Sequence, residues 1–418
     1  MVPIENGFSV APTVHPLYDS PVFRVPHGID RLEDWMSQPG EMNQVWTMNE
    51  LFREMVRRHA SDLILTVGTP PQFRINGALE AMPCEPLDAQ TARRLAYSLI
   101  NEGQIQELDR LQSCDFSTGV EGLSRFRIHI YRQRDSFALA ARSIPLDIPD
   151  FKSLGIPEAA REFITRPHGL LLVTGPAGSG KSTTLACLIN LINQTRHAHI
   201  VCIENPIEYL HHHLRGVVDQ REVHRDTPSF ENALRSVFRE SPDVIMVGEM
   251  RDLETIRLAL TLAETGHLIL ATLHTQDTTH AVHRIVDVFP SDQQQQINTQ
   301  LSLVLVGVLS QLLLPSADGR GLVLATEIMN VNSAIRNLIR ERQLQQIYSV
   351  IQTSRNEGMI TMTDALYELC EAGRITPETA LLRAPRPKDL TKMLGARKHG
   401  APLRNPPPIP PASANRPH

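Results

Sequence analysis

Residues 175–184 read Gly-Pro-Ala-Gly-Ser-Gly-Lys-Ser-Thr-Thr, a complete match to G-x-x-x-x-G-K-[ST]. The apolar run Leu170–Thr174 precedes it and a helical pattern opens from Lys181, the strand–loop–helix context that this loop needs. Glycines at 175, 178 and 180 let the backbone bend until its N–H groups point inward on a phosphate. The helix N-terminus adds the positive end of a dipole. The expected nucleotide-binding residues are therefore Gly175, Pro176, Ala177, Gly178, Ser179, Gly180, Lys181, Ser182 and Thr183. Lys181 reaches the outer phosphates and Ser182 ligates Mg²⁺ in this reading. Lys181 is expected on a solvent-facing loop, contributing charge to the phosphates and nothing to a core.

Outward from that loop, Phe151 to about Pro387 alternates short apolar runs with stretches of helical period. The runs are Leu170–Thr174, His199–Glu204, Asp243–Gly248, Leu268–His274 and Val323–Met329. Near-continuous apolar strands separated by helices predict a mostly parallel, doubly wound α/β sheet. Ligands of such sheets gather at the carboxyl ends of the strands, and polar residues end several strands here. Asp243-Val-Ile-Met-Val-Gly-Glu249 places Glu249 where an acid holds Mg²⁺ or its water. Glu204-Asn-Pro-Ile-Glu208 follows its strand, and a carboxylate there can polarise an attacking water or position metal-bound water. His274 is placed to sense a terminal phosphate, whereas His267, at the other end of the same strand, reads as structural. His211-His-His213 is not read as a metal site, because consecutive side chains do not converge on one ion. Nucleotide-bound Mg²⁺ is the metal expected.

Residues 46–149 show the signals of a smaller mixed domain. Met48–Ala60 has helical spacing, and Ser61–Val67, Gln72–Asn76, Asp115–Val120, Arg125–Arg134 and Phe137–Ser143 read as strands. The fourth alternates, with Phe126, Ile128 and Ile130 on one face and Arg125, Arg127 and His129 on the other. Residues 1–45 are expected to be a mobile leader with a short helix around Leu32–Met36, and 388–418 a Pro-rich disordered tail. The apolar segment Leu301–Leu314 is shorter than the roughly 20 residues a bilayer needs and is expected as a buried core helix. No membrane insertion is therefore expected, and a net charge of −5 over 418 residues offers no electrostatic reason for stable attachment to nucleic acid or anionic lipid. Five cysteines without a C-x-x-C pair read as reduced thiols.

The P-loop, the Glu204 box, the Gly248-Glu249 strand end and the two-histidine segment, in that order, resemble the secretion and type IV pilus ATPase superfamily. HASDLILTVGTPPQFRING (59–77) is similar to its N-terminal domain opening and SRFRIHIYRQR (124–134) to its arginine-bearing strand. Ala334-Ile-Arg-Asn-Leu-Ile-Arg-Glu341 and GMITMTDAL (358–366) resemble segments of its pilus retraction branch. The resemblance implies a PAS-like α+β domain (46–149) joined to a RecA-like P-loop ATPase domain with helical C-terminal part (150–387), assembled as a homohexamer. It implies ATP hydrolysis that powers type IV pilus retraction and twitching motility, in the cytoplasm and peripheral to the inner membrane through a platform protein. Glu204 becomes the water-activating acid, Glu249 the Walker B carboxylate and His274 the phosphate sensor. Arg125 or Arg127 approaches a neighbouring subunit's nucleotide.

Two positions depart from the superfamily's pattern: Asn205 stands where Asp is usual, and His224-Arg225 replaces a pair of small residues. The alternatives are an assembly, secretion or conjugative-transfer ATPase of the same superfamily, and a nucleotide-binding regulator without turnover, which Asn205 alone favours. A nucleic-acid motor is a third, disfavoured by the acidic balance and by the lack of a basic strand interleaved with aromatics.

Overall fold

The computed structural model describes residues 46–75, 77–144 and 147–396; the expected leader (1–45) and residues 397–418 of the tail lie outside the described residues. Helix α1 (Met48–Arg57) starts at a reciprocal cap: Thr47 N donates to Glu50 and Glu50 N to Thr47 Oγ1, satisfying donors that a helix start leaves open. Strands β1 (Asp62–Leu65), β2 (Gln72–Ile75) and β3 (Ala78–Ala81) follow, then helices α2 (Ala89–Tyr97) and α3 (Glu102–Leu111). Strands β4 (Ser113–Val120), β5 (Ser124–Gln133) and β6 (Ser136–Ile144) complete an antiparallel sheet of order β3-β2-β1-β6-β5-β4. On β5, Phe126, Ile128 and Ile130 are fully buried while Arg127 is exposed. Phe126 stacks on Phe52 of α1 with ring centroids 4.1 Å apart. That packing commits the arginine-bearing face of β5 to the outside of the small sheet's core. β3, missed in the sequence, is exposed along its whole length and so carries no hydrophobic alternation to read.

The second sheet begins after helix α4 (Ala160–Thr165). Its elements are β7 (Gly169–Thr174), α5 (Lys181–Thr195), β8 (His199–Glu204), β9 (Val217–Glu222), α6 (Phe230–Val237), β10 (Val244–Val247), α7 (Leu253–Glu264) and β11 (Leu268–Leu273). Helices α8 (Thr278–Asp287) and α9 (Gln294–Val304) lead to β12 (Leu305–Pro315) and β13 (Leu322–Asn330). The order is β13-β12-β7-β11-β10-β8-β9, parallel throughout except for the β12–β13 pair. Alternate side chains of one strand feed opposite cores: Leu170 and Leu172 join one cluster, Leu171 and Val173 the other. Helices therefore cover both faces, which is the α/β arrangement expected from the apolar runs. Helices α10 (Ser333–Arg340), α11 (Ile347–Thr353), α12 (Met362–Glu371), α13 (Pro377–Arg383) and α14 (Pro387–Ala396) end the described chain. None of its helices is long and apolar enough to cross a membrane.

Two expectations are corrected here. Leu301–Leu314 is not one buried helix: α9 ends at Val304 and the remainder is β12, a central strand between β7 and β13. Apart from the exposed Leu303 the run is buried or half-buried and nearly continuously apolar, so pattern alone does not separate helix from strand. The second correction concerns residues 388–396, placed in the disordered tail but folded as most of α14, with Leu390 buried beside Leu314 and Leu366.

Gly307 shows how tightly β12 is held. A Cβ added there would lie 2.4–2.9 Å from three ring carbons of Phe163. Gly307→Ala should destabilise the chain by about 1–3 kcal/mol, read as a lower midpoint in denaturant unfolding. Trimming the ring with Phe163→Leu in the same chain should recover part of that loss. An unshifted midpoint in Gly307→Ala would remove the close packing of α4 on β12.

Candidate active site

The carboxyl ends of β7, β8, β10 and β11 open on one cavity of about 880 Å³, lined among others by Lys181, Glu204, Glu249, His274 and Arg127. The loop that leaves β7 depends on its glycines. Gly175 has φ 145° and passes so close to its surroundings that a Cβ would lie 2.4 Å from the Gln311 carbonyl oxygen. Gly178 and Gly180 adopt φ 76° and 86°, the left-handed region that side chains resist. Helix α5 then starts at Lys181 without a side-chain cap, which leaves its first N–H groups free for an anion.

Lys181 is not solvent-facing as expected. Its side chain is buried, and Nζ donates to the carbonyls of Gly175 and Pro176, both at 2.9 Å. Burial lowers its pKa, partly offset by Glu249 and Glu208. Nζ also lies 3.4 Å from His274 Nδ1, and His274 Nε2 lies 3.2 Å from Glu249 Oε1. An ammonium on one side and a carboxylate on the other assign His274 the tautomer that accepts at Nδ1 and donates at Nε2. Burial alone would raise the Glu249 carboxyl, but Arg251 at 2.7 Å together with His274 holds it below its ordinary value. Both contacts fall on Oε1. Asp252, the next residue, serves a structural end by capping α7 through Thr255.

Glu204 is the electrostatic opposite. It is buried at the tip of β8, and desolvation raises its pKa to about 7 even though Gln220 Nε2 donates to Oε1 at 3.0 Å and Glu208 N to Oε2 at 3.3 Å. Gly248 brings the two acid-bearing strand tips together, since a Cβ there would lie 3.3 Å from the Ile203 carbonyl oxygen and 3.4 Å from Glu204 Cα. Ser182 and Glu249 both line the cavity and offer hard oxygen donors, the donor type that Mg²⁺ takes. His267 is held apart from the cavity's chemistry, its Nδ1 3.0 Å from the Leu262 carbonyl.

The two candidate arginines separate. Arg127 stands exposed on the wall of its own chain's cavity. Arg125 is mostly buried in an ion pair with Glu222 at 2.6 Å. Sequence reasoning missed Gln220 and Glu222 because they lie on β9, an edge strand with only two leading apolar residues. It also missed Tyr209, whose hydroxyl lies 2.9 Å from Thr183 Oγ1; a Tyr five residues after Glu204 carries no local signal.

The Glu204 carboxyl supplies a linkage test. Its pKa is about 7 in the folded chain and 4.5 when unperturbed, so the folded state binds the proton more tightly. The resulting stability is fully present below about pH 4.5 and lost as pH rises through about 7. Glu204→Gln should exceed the wild type in unfolding free energy by roughly 3 kcal/mol near pH 8 and by almost nothing near pH 4.5. Urea titrations at the two pH values measure this, and a difference independent of pH would count against a strained Glu204 carboxylate.

Comparison with known proteins places this geometry. The family described as type II/IV secretion system protein matches residues 139–376. The chain is 44% identical over 342 residues to the type IV pilus retractation ATPase PilT of Pseudomonas aeruginosa, covering 82% of this chain and 99% of that protein. It is 43% identical over 321 residues to a twitching motility protein of Neisseria gonorrhoeae, covering 77% of this chain and 86% of the relative. A crystal structure of the pilus retraction motor PilT with bound ADP superposes with a TM-score of 0.79 at 48% identity, covering 83% of this chain and 99% of that one. With more than half of its length matched by the family and these relatives covered over 86–99% of their own length, the chain belongs to the type II/IV secretion system protein family, among the PilT-like ATPases.

Proposed function

We propose that this chain is an ATP-hydrolysing motor that powers type IV pilus retraction, and with it twitching motility, as a hexameric ring acting on an inner-membrane platform protein from the cytoplasmic side. One observation carries the chemistry: a buried carboxyl with a pKa of about 7, Glu204, shares a cavity with the Lys181–His274–Glu249 chain. The relatives' names, retractation ATPase, twitching motility protein and retraction motor, support the biological assignment. The small antiparallel sheet is read as the PAS-like domain and the parallel sheet as the RecA-like domain.

In this reading Lys181 exchanges the carbonyls of Gly175 and Pro176 for the outer phosphates, and the N–H groups of residues 175–183 surround them. Glu204 accepts the proton of the attacking water; a base whose pKa lies near the working pH suits that task. His274 donates from Nε2 to Glu249 and so reports the position of Lys181 to the carboxylate. Arg127 stabilises charge on the terminal phosphate from within its own chain. Mg²⁺ bound with the nucleotide would be held by Ser182 and Glu249 and would neutralise phosphate oxygens. Asn205 is exposed on the cavity wall, and Lys181, Glu204, Glu249 and His274 all line the same cavity, which supports turnover over a silent regulator.

The assembly, secretion and conjugative-transfer readings differ in what the ring moves. Helix α10 favours retraction through its resemblance, and its geometry suits an outward contact. Ile335, Leu338 and Ile339 are buried while Arg336 and Arg340 are exposed.

Two experiments separate chemistry from coupling. Glu204→Gln should bind ATP with Mg²⁺ yet hydrolyse it roughly 10²–10⁴-fold more slowly, whereas Glu249→Gln should lose Mg²⁺-dependent affinity as well. Nucleotide binding and phosphate release measured side by side decide the roles, and the opposite pattern would exchange them. Arg336→Ala with Arg340→Ala should keep most ATPase activity while surface pili accumulate and twitching stops. Normal retraction in that strain would return α10 to a purely structural part.

A further inference from the structure

Arg125 and Arg127 leave the same face of β5, and Ser117 of β4 lies opposite Arg127 in the ladder. Only Arg127 lines the cavity. Arg125 Nη2 donates to Glu222 Oε2 at 2.6 Å and to Ser117 Oγ at 2.7 Å, and the Ser117 hydroxyl contacts both Glu222 oxygens at 2.7 Å. Ser117 and Glu222 are both buried. Arg225 adds a bond from Nη1 to the Ser117 carbonyl at 3.0 Å. Two residues from Arg127, then, the small sheet is bolted to the end of β9.

The same carboxylate oxygen that pairs with Arg125 also reaches the segment that follows Glu204. β9 pairs with β8 so that Glu222 lies beside Glu204 in register. Glu222 Oε2 accepts from Ile207 N at 3.3 Å, and Val223 N donates to the Glu204 carbonyl at 2.8 Å. One carboxylate thus touches the arginine strand and the loop that follows the acid. A buried ion pair adds little net stability compared with apolar residues of similar volume, but it holds its two backbones in one geometry, and misplacement near 1 Å can cost about 10²-fold in rate.

We propose that Arg125 and Glu222 are positioning residues: their ion pair locks β5 to the Glu204–Ile207 loop, so that Arg127 and Glu204 are presented to the nucleotide as one unit. This rests on the reading of Arg127 as the group that meets the terminal phosphate. Neither member of the pair is required to touch the nucleotide.

The test replaces both charges together. Arg125→Met with Glu222→Met leaves no lone buried charge and should fold with a melting temperature near the wild type. Its affinity for ADP should change less than about threefold, while kcat for ATP falls on the order of ten- to a hundredfold. Glu222→Gln, which keeps the shape and an oxygen acceptor, should fold in any case and show a smaller fall in kcat with the same unchanged ADP affinity. Wild-type kcat in either folded variant overturns the proposal, as does a parallel loss of kcat and ADP affinity. Arg127→Ala is measured separately. If it turns over at the wild-type rate, the reading of Arg127 fails, and that failure is seen without touching the ion pair. If it is slow, adding the double substitution should cost clearly less than the product of the two separate losses. A full product would mean that the pair does not act through Arg127.

Discussion

Everything at this site hangs on β7, a six-residue strand with no exposed side chain, paired in parallel to β11 on one edge and β12 on the other. A strand buried on both faces and both edges cannot slide by one residue without moving its apolar set between cores. Its last residue, Thr174, is therefore fixed in space, and so is the Gly175 turn that begins the phosphate loop. The helix that follows is equally constrained, because Leu185, Leu188, Ile189 and Ile192 of α5 pack into the same cluster as Leu171 and Val173. The loop between them has no freedom other than the one its glycines supply.

Around that fixed loop the environment drives ionisable groups apart. Burial lowers the pKa of Lys181 and raises that of Glu204 to about 7, while Arg251 and His274 overcome burial and keep Glu249 ionised. Two carboxylates at adjacent strand tips thus acquire different chemistry from their neighbours alone. Divergence of this kind is how a fold assigns base and metal-binding roles at one pH. The Lys181–His274–Glu249 chain, together with the carbonyls of Gly175 and Pro176, satisfies the buried cation from within the site.

The small sheet contributes in a different manner. Its core, centred on Phe52 stacked against Phe126, decides only which face of β5 looks outward. What that face then meets depends on Glu222 and Ser117, from two elements far apart in the chain. Charged groups buried between layers are costly unless each is paired, so the pairing selects one relative placement of β5 and β9 among those the apolar surfaces would tolerate.

The phosphate loop, the acids at the tips of β8 and β10, and the outward face of β5 were all legible from sequence, because each is a local pattern: a spacing, a strand end, a period of two. β9 was not, since an edge strand with the composition VVDQRE has little apolar surface to announce it, and with it went Gln220 and Glu222. Nor was β12 distinguishable from the helix before it, because a nearly continuous apolar run carries no clear period. The division of labour between Arg125 and Arg127 lies furthest from the sequence. Both sit on the same face two residues apart, and only the long-range register that places Glu222 beside one of them leaves the other at the cavity. Local sequence thus determined which groups are available and the strands that carry them; tertiary structure decided their partners, because hydrogen bonds and ion pairs form between positions that chain order does not relate.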